Sequence, residues 1–243
     1  MYLYINMFKR ISDNITESVF LEIPKNPYFK LSFSKKTTSS TDNKDRYIAT
    51  AIPSELFINT YGNIPHNIPA AFVYFTVFSE AIVHKTTPPV KARIFVHMLE
   101  NTALNANNTY SKVAPSSIFR GLASATMCAA INHVQQIHNL DKNEIVALEA
   151  SGYIKGHNNQ SIKPLVHYYT RTYGLQPLEE DPSFEEEVVM SATIDTIISK
   201  CNTRGGSNKR SRRSRNKRNR NKRNKRNRNR NIKCKTKRYY KYK

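Results

Sequence analysis

Apolar positions in the first hundred residues alternate, or run in short bursts bounded by turn residues, which is strand patterning. Ser18-Val-Phe-Leu-Glu-Ile23 and Phe29-Lys-Leu-Ser-Phe33 predict two strands, with Pro24 and Pro27 between them. Residues 35–46 are polar and rich in Ser and Thr, and read as a loop. Residues 48–58 fit neither period. Residues 61–69 carry Gly62, Pro65 and Pro69 and read as a loop. Residues 71–78 are dense in β-branched and aromatic side chains and predict a strand. Thr86-Thr-Pro-Pro89 breaks the chain, and residues 91–99 predict a second strand. The pair forms a hairpin with a long connection. Residues 101–109 are an Asn-rich loop.

After that the period changes to 3.6. Residues 119–138 predict a helix, with Leu122, Met127, Ala130, Ile131, Val134 and Ile137 mostly on one face. Residues 139–143 are a turn, 145–149 a short strand and 152–160 a polar loop. Ser161 is a plausible N-cap for a second helix. Its stripe is Ile162, Leu165, Val166, Tyr169 and Tyr173; Gly174 stands where a terminating glycine belongs, and Pro177 follows. Residues 188–190 are the last strand, and the domain ends within 185–198. Helix, strand, helix in this order implies a right-handed parallel crossover. The expected fold class is α/β (α+β), with a mixed, mostly antiparallel sheet and flanking helices.

Charge divides the chain. Residues 204–243 hold 21 of the 39 Lys and Arg and no acidic residue, so residues 1–203 carry 18 basic and 18 acidic side chains. The net +21 belongs wholly to the C-terminal segment. The expected organisation is a neutral domain over 1–203 and a disordered Arg/Lys/Asn-rich tail over 204–243. Without acidic or apolar residues for most of its length, the tail offers phosphate contact without sequence reading, or a nuclear or nucleolar address. Slippage in A-rich codons is nearly as ready an explanation of its origin.

Three cysteines, Cys128, Cys201 and Cys234, lack CxxC spacing. Neither a disulfide framework nor a zinc site is expected. His133 and His138 are five apart, wrong for two ligands on one helical face, so no metal is expected. No signal peptide is apparent, and the most apolar run, residues 70–83, is too short to span a bilayer. The expected setting is soluble and intracellular, without membrane contact.

The segment Val113-Ala-Pro-Ser-Ser-Ile-Phe-Arg-Gly-Leu-Ala-Ser-Ala125 resembles the coenzyme-A-binding signature of GNAT N-acetyltransferases. That signature is a strand ending in V-x-P, then an Arg-led, small-residue loop opening a long helix. The resemblance implies acetyl-CoA as co-substrate, bound by Val113, Arg120, Gly121, Leu122, Ala123, Ser124 and Ala125, with the pyrophosphate at the helix start. Ala123 stands where glycine is usual. In the family a strand follows, then a helix with a tyrosine shortly before its end, then a final strand. Here Tyr168-Tyr-Thr-Arg-Thr-Tyr-Gly-Leu175 resembles that helix end. The resemblance gives Tyr169, and less well Tyr168, the role of protonating the departing thiolate. It covers about residues 113–198 and implies an acetyl group transferred to an amine acceptor of unknown identity. Glu100 and Glu149, near strand ends, are general-base candidates that the sequence does not separate. The alternative function is nonspecific nucleic-acid binding through the tail, with an inactive GNAT-like domain.

Overall fold

In a computed structural model of the chain, eight strands form one sheet in the order β1-β2-β3-β4-β5-β6-β8-β7. The structure describes residues 15–24, 26–36, 43–64, 68–104, 109–150, 162–179 and 187–203. β1 (Ile15–Glu22), β2 (Phe29–Lys36), β3 (Lys44–Pro53), β4 (Ala71–His84) and β5 (Val90–Glu100) pair antiparallel in sequence. β5 then pairs parallel with β6 (Ile145–Ala150), and β6 pairs antiparallel with β8 (Val188–Thr193). β7 (Gln176–Pro177) edges β8. The expected mixed, mostly antiparallel sheet is present, including the parallel crossover.

Local differences have physical causes. The polar stretch read as a loop is already β3 from Lys44 on, because it pairs with β2 through Lys36↔Arg46 and Lys35↔Tyr47. Residues 37–42 lie outside the described set. Residues 48–58 fit no single period because they hold two elements. β3 ends at Pro53, and Ser54 caps α1 (Glu55–Tyr61) by accepting from the Phe57 N–H at 3.4 Å. The same hydroxyl donates to the Pro27 carbonyl at 2.7 Å, tying the turn to β2.

Four more helices follow, of which α2 (Thr109–Val113) is a single short turn of chain. α3 (Leu122–Ile137) and α4 (Lys163–Tyr173) occupy the two predicted helical segments. The expected cap Ser161 lies outside the described residues, but Gly174 ends α4 in the left-handed region as expected, at φ 74°. α5 (Ile194–Thr203) was not expected, although Ile194, Ile197, Ile198 and Cys201 recur at helical spacing directly after β8.

Buried side chains from every described helix join one core with Phe29, Phe33, Val73, Phe75, Ile94, Val96, Leu148 and Met190. A smaller cluster of Val90, Ala92, Phe95, Ala147 and Val189 lies on the other sheet face, and no described helix contributes to it. This is the period-2 alternation of strands acting on a sheet covered by helices on one side. Phe29, Phe57, Tyr110 and Phe119 form a ring cluster with centroids 5.2–6.4 Å apart. It fixes the chain entering α3.

The cysteines overturn the expectation of no disulfide. Cys128 in α3 and Cys201 in α5 are bonded, with Cα atoms 6.0 Å apart. Their 73-residue separation matches no local motif, and the bond depends on the unforeseen α5. The chain divides into two units, Met1–Asn202 and Thr203–Lys243. Beyond Thr203 the basic tail lies outside the described residues. No described helix is long and apolar enough to cross a membrane.

Candidate functional site

Only three register pairs join β5 to β6, from Ile94↔Val146 to Val96↔Leu148. β5 runs on to Glu100 and β6 to Ala150 without pairing further. A bulge at His97, between Phe75↔Val96 and Tyr74↔Met98, redirects β5 where the two part. A parallel pair that diverges at its carboxyl ends opens the crevice in which α/β sheets bind ligands.

α3 runs back along the sheet, so its N-terminus stands at this end. Asn101, directly after β5, holds it there by donating from Nδ2 to the Phe119 carbonyl at 2.7 Å. Gly121 then turns the chain into α3 at φ 78°, ψ 4°, and a Cβ at this position would meet nothing within 4 Å. The Leu122 N–H is taken by the Phe119 carbonyl at 3.1 Å. The first intrahelical bond runs from the Ala125 N–H to the Gly121 carbonyl at 2.9 Å. The Ala123 and Ser124 N–H groups thus lie in the first turn, without helical carbonyls behind them. An open, left-handed glycine before a 16-residue helix suits an anion held by backbone amides.

The signature residues divide on this geometry. Arg120 and Gly121 are exposed at the turn, while Leu122, Ala123 and Ser124 are buried and Ala125 packs against the core. The Ala123 methyl points into the protein, so it does not narrow the loop, and the open glycine is Gly121. Val113 is misplaced by the sequence reading. It ends the short helix α2 and is exposed, and the strand before α3 ends at Glu100 instead. The buried Tyr110, whose hydroxyl donates to the Ile68 carbonyl at 2.7 Å, holds this segment as an insertion between strand and helix.

Opposite the turn stands α4. The Tyr168 hydroxyl and Ser124 Oγ are 2.6 Å apart, joining a residue from each half of the expected site. Tyr169, with its ring 5.6 Å from that of Tyr168, has its hydroxyl pushed up to about 12 by burial and then by Tyr168. The sequence reading did not single out Tyr173 chemically. It is fully buried, its hydroxyl has no hydrogen-bond partner among the described residues, and burial first and then Tyr168 raise its pKa well above the ordinary value. That hydroxyl lies within electrostatic reach of Ser124 and Tyr168 but in hydrogen-bond geometry with neither. Asn101 Oδ1 is a second buried, unpartnered polar atom at this end of the sheet. The available signal was three tyrosines, Tyr168, Tyr169 and Tyr173, within one turn and a half of a single helix.

Glu100 and Glu149 end the two diverging strands, but they stand apart from the tyrosines. Leu99 and Leu148 pack into the helix-covered core, so the glutamates project from the other sheet face. Burial, and then Glu187, raise the Glu149 carboxyl above its usual range. No group of three or more potential metal ligands occurs among the described residues. Comparison of the chain with protein-family models, curated proteins and solved structures finds no match in any of the three.

Proposed function

We propose that the domain is an N-acetyltransferase of the GNAT type, taking acetyl-CoA at the start of α3 and passing its acetyl group to an amine. The Ser124–Tyr168 hydrogen bond carries this reading: it sets a proton-bearing hydroxyl beside the first turn of α3, the helix start that the resemblance assigns to the diphosphate. The order of strand, loop, long helix, parallel strand, tyrosine helix and final strand is the one the resemblance implies. The Gly121 turn leaves room for a pyrophosphate, and the exposed Arg120 supplies a charge beside it.

Acetyl-CoA supplies an activated thioester. First-turn amides of α3 hold the diphosphate, and the crevice aligns the thioester with the incoming amine. Attack by the amine at the carbonyl carbon forms the C–N bond and breaks the C–S bond; the thiolate takes a proton from a tyrosine, and the proton released from the amine nitrogen passes through solvent to restore that tyrosine. The geometry favours Tyr168 over Tyr169 for this step. Burial, and then Tyr168, push the Tyr169 hydroxyl up to about 12, which makes it a poor acid towards a thiolate. Tyr168 is half-buried and already hydrogen-bonded to Ser124, which orients it. A thermal-shift titration of the full chain tests the binding step. Acetyl-CoA is expected to raise the melting temperature in a concentration-dependent manner, and no shift at saturating acetyl-CoA contradicts it.

A further inference from the structure

A second group of side chains lies on the sheet face that no described helix covers. Register sets Lys36 opposite Arg46 and Arg46 opposite Thr76, and the Thr76 hydroxyl is 2.8 Å from His97 Nε2. Their neighbours Phe33, Tyr47, Phe75 and Val96 point into the helix-covered core, so this row points away from it. Two cations, a hydroxyl and an imidazole therefore cross four adjacent strands, each about 4.8 Å from the next. Lys44 adds a third cation, two residues before Arg46 on the same face.

Rings run beside the row. Tyr74 lies 5.1 Å from His97, His97 5.2 Å from Phe95, Phe95 4.4 Å from His84 and His84 4.9 Å from Phe78. Phe95 is buried within this ladder, whereas Tyr74, Phe78 and His84 are partly exposed and His97 is exposed. The partial burial of its ring, then Arg46 and His84, hold His97 in the neutral form. It is thus a stacking ring and not a further charge.

We propose that this face binds single-stranded nucleic acid, with phosphates along Lys36, Arg46 and Lys44 and bases against Tyr74 and His97, while the buried Thr76 orients the His97 ring. Rings beside a cationic row fit unpaired bases, whose faces are free to stack whatever the sequence. A duplex keeps those faces covered. The row itself holds Lys36, Lys44 and Arg46 and no acidic residue, and Glu100 and Glu149 project from the same face further along β5 and β6, towards their carboxyl ends. The proposal is independent of the acetyltransferase reading, and it places nucleic-acid contact in the domain as well as the tail.

Fluorescence anisotropy of the full chain tests it, using a labelled oligothymidylate and a duplex of equal length at salt high enough to weaken simple phosphate contacts. The parent is expected to prefer the single strand. Tyr74→Leu and His97→Ala are each expected to weaken that binding by roughly 5- to 100-fold and to leave duplex binding unchanged. Arg46→Gln is expected to weaken single-strand binding and reduce its salt slope by about one. If Tyr74→Leu loses its cooperative melting transition, the other two variants carry the test alone. Equal parent affinity for both forms, equal loss on both, or no loss in any folded variant overturns the proposal.

Discussion

Ser124 and Tyr168, 44 residues apart in sequence, share a 2.6 Å hydrogen bond between the first turn of α3 and the middle of α4. Every part of the proposed chemistry is arranged around this contact. In the proposed reaction, the first-turn amides beside Ser124 hold the diphosphate and the Tyr168 hydroxyl protonates the leaving group. Tyr168→Phe is therefore expected to lower turnover by about 100-fold with acetyl-CoA affinity unchanged. Tyr169→Phe is expected to cost less than about 10-fold, because burial, and then Tyr168, raise its hydroxyl to about 12 and it makes no hydrogen bond to the described residues of the helix start. Steady-state release of free thiol measures both, and the reverse order returns the role to Tyr169.

Ser124→Ala removes the partner that orients Tyr168. The stability loss is expected to be about 1 kcal/mol, the value of one net hydrogen bond. A fall in kcat at constant KM separates orientation from substrate binding. Normal turnover in Ser124→Ala removes Ser124 from the mechanism.

Two glycines share a left-handed backbone but not their surroundings. At Gly121, φ 78°, a Cβ meets nothing within 4 Å, so Gly121→Ala is expected to cost only the backbone term, about 1 kcal/mol. At Gly174, φ 74°, a Cβ would lie 2.6 Å from Thr196 Cγ2, a stiff β-branched group on α5. Gly174→Ala is expected to cost the same backbone term and an overpacking term of roughly 1–3 kcal/mol. Chemical denaturation of the two variants checks the order, and equal losses contradict the packing of α4 on α5.

The Cys128–Cys201 bond closes a long loop, so breaking it frees the unfolded chain. The chain-entropy relation puts the loss at about 4 kcal/mol, or roughly 10 °C in melting temperature for a domain of this size. Thiol reductant is expected to produce that shift in the parent and none in Cys128→Ser. Alkylation of the denatured, unreduced chain is expected to label Cys234 alone. Three labelled cysteines contradict the bond.

Partial loss of water around the ring lowers His84, His97, His133 and His138 below the usual imidazole range, with His97 falling to about 4. Each binds its proton more weakly in the folded chain than in the unfolded one. Unfolding therefore takes up protons below about 6.5, and stability falls as pH drops from there towards 4. His97→Gln is expected to narrow the difference in melting temperature between pH 7 and pH 5. An unchanged difference shows that His97 is solvated like a free histidine.

Much of the scaffold was legible because strong local patterns agreed with the tertiary structure. The aromatic run from Ala71 and the apolar stripe of α3 needed no long-range knowledge, and Gly174 marked the end of α4. Elements set by pairing were less visible. Lys44 to Arg46 is polar, and only its register with β2 makes it a strand. Of the candidate site, the helix start was legible: Arg120, Gly121 and Ser124 lie where the helix was predicted to begin. Val113 went wrong because V-x-P was read as a strand end, whereas the buried Tyr110 folds that segment into an insertion. The Cys128–Cys201 bond and the unpartnered Tyr173 hydroxyl depend on contacts between distant elements, and no local motif reports them.

Isothermal calorimetry of acetyl-CoA against the full chain and Arg120→Glu tests the central claim most directly. Arg120 is exposed at the turn before α3, so the substitution leaves the core intact and opposes the diphosphate with a negative charge. The account predicts saturable one-site binding to the parent and no measurable binding to Arg120→Glu at an unchanged melting temperature. No binding to the folded parent, or equal binding to both proteins, contradicts it.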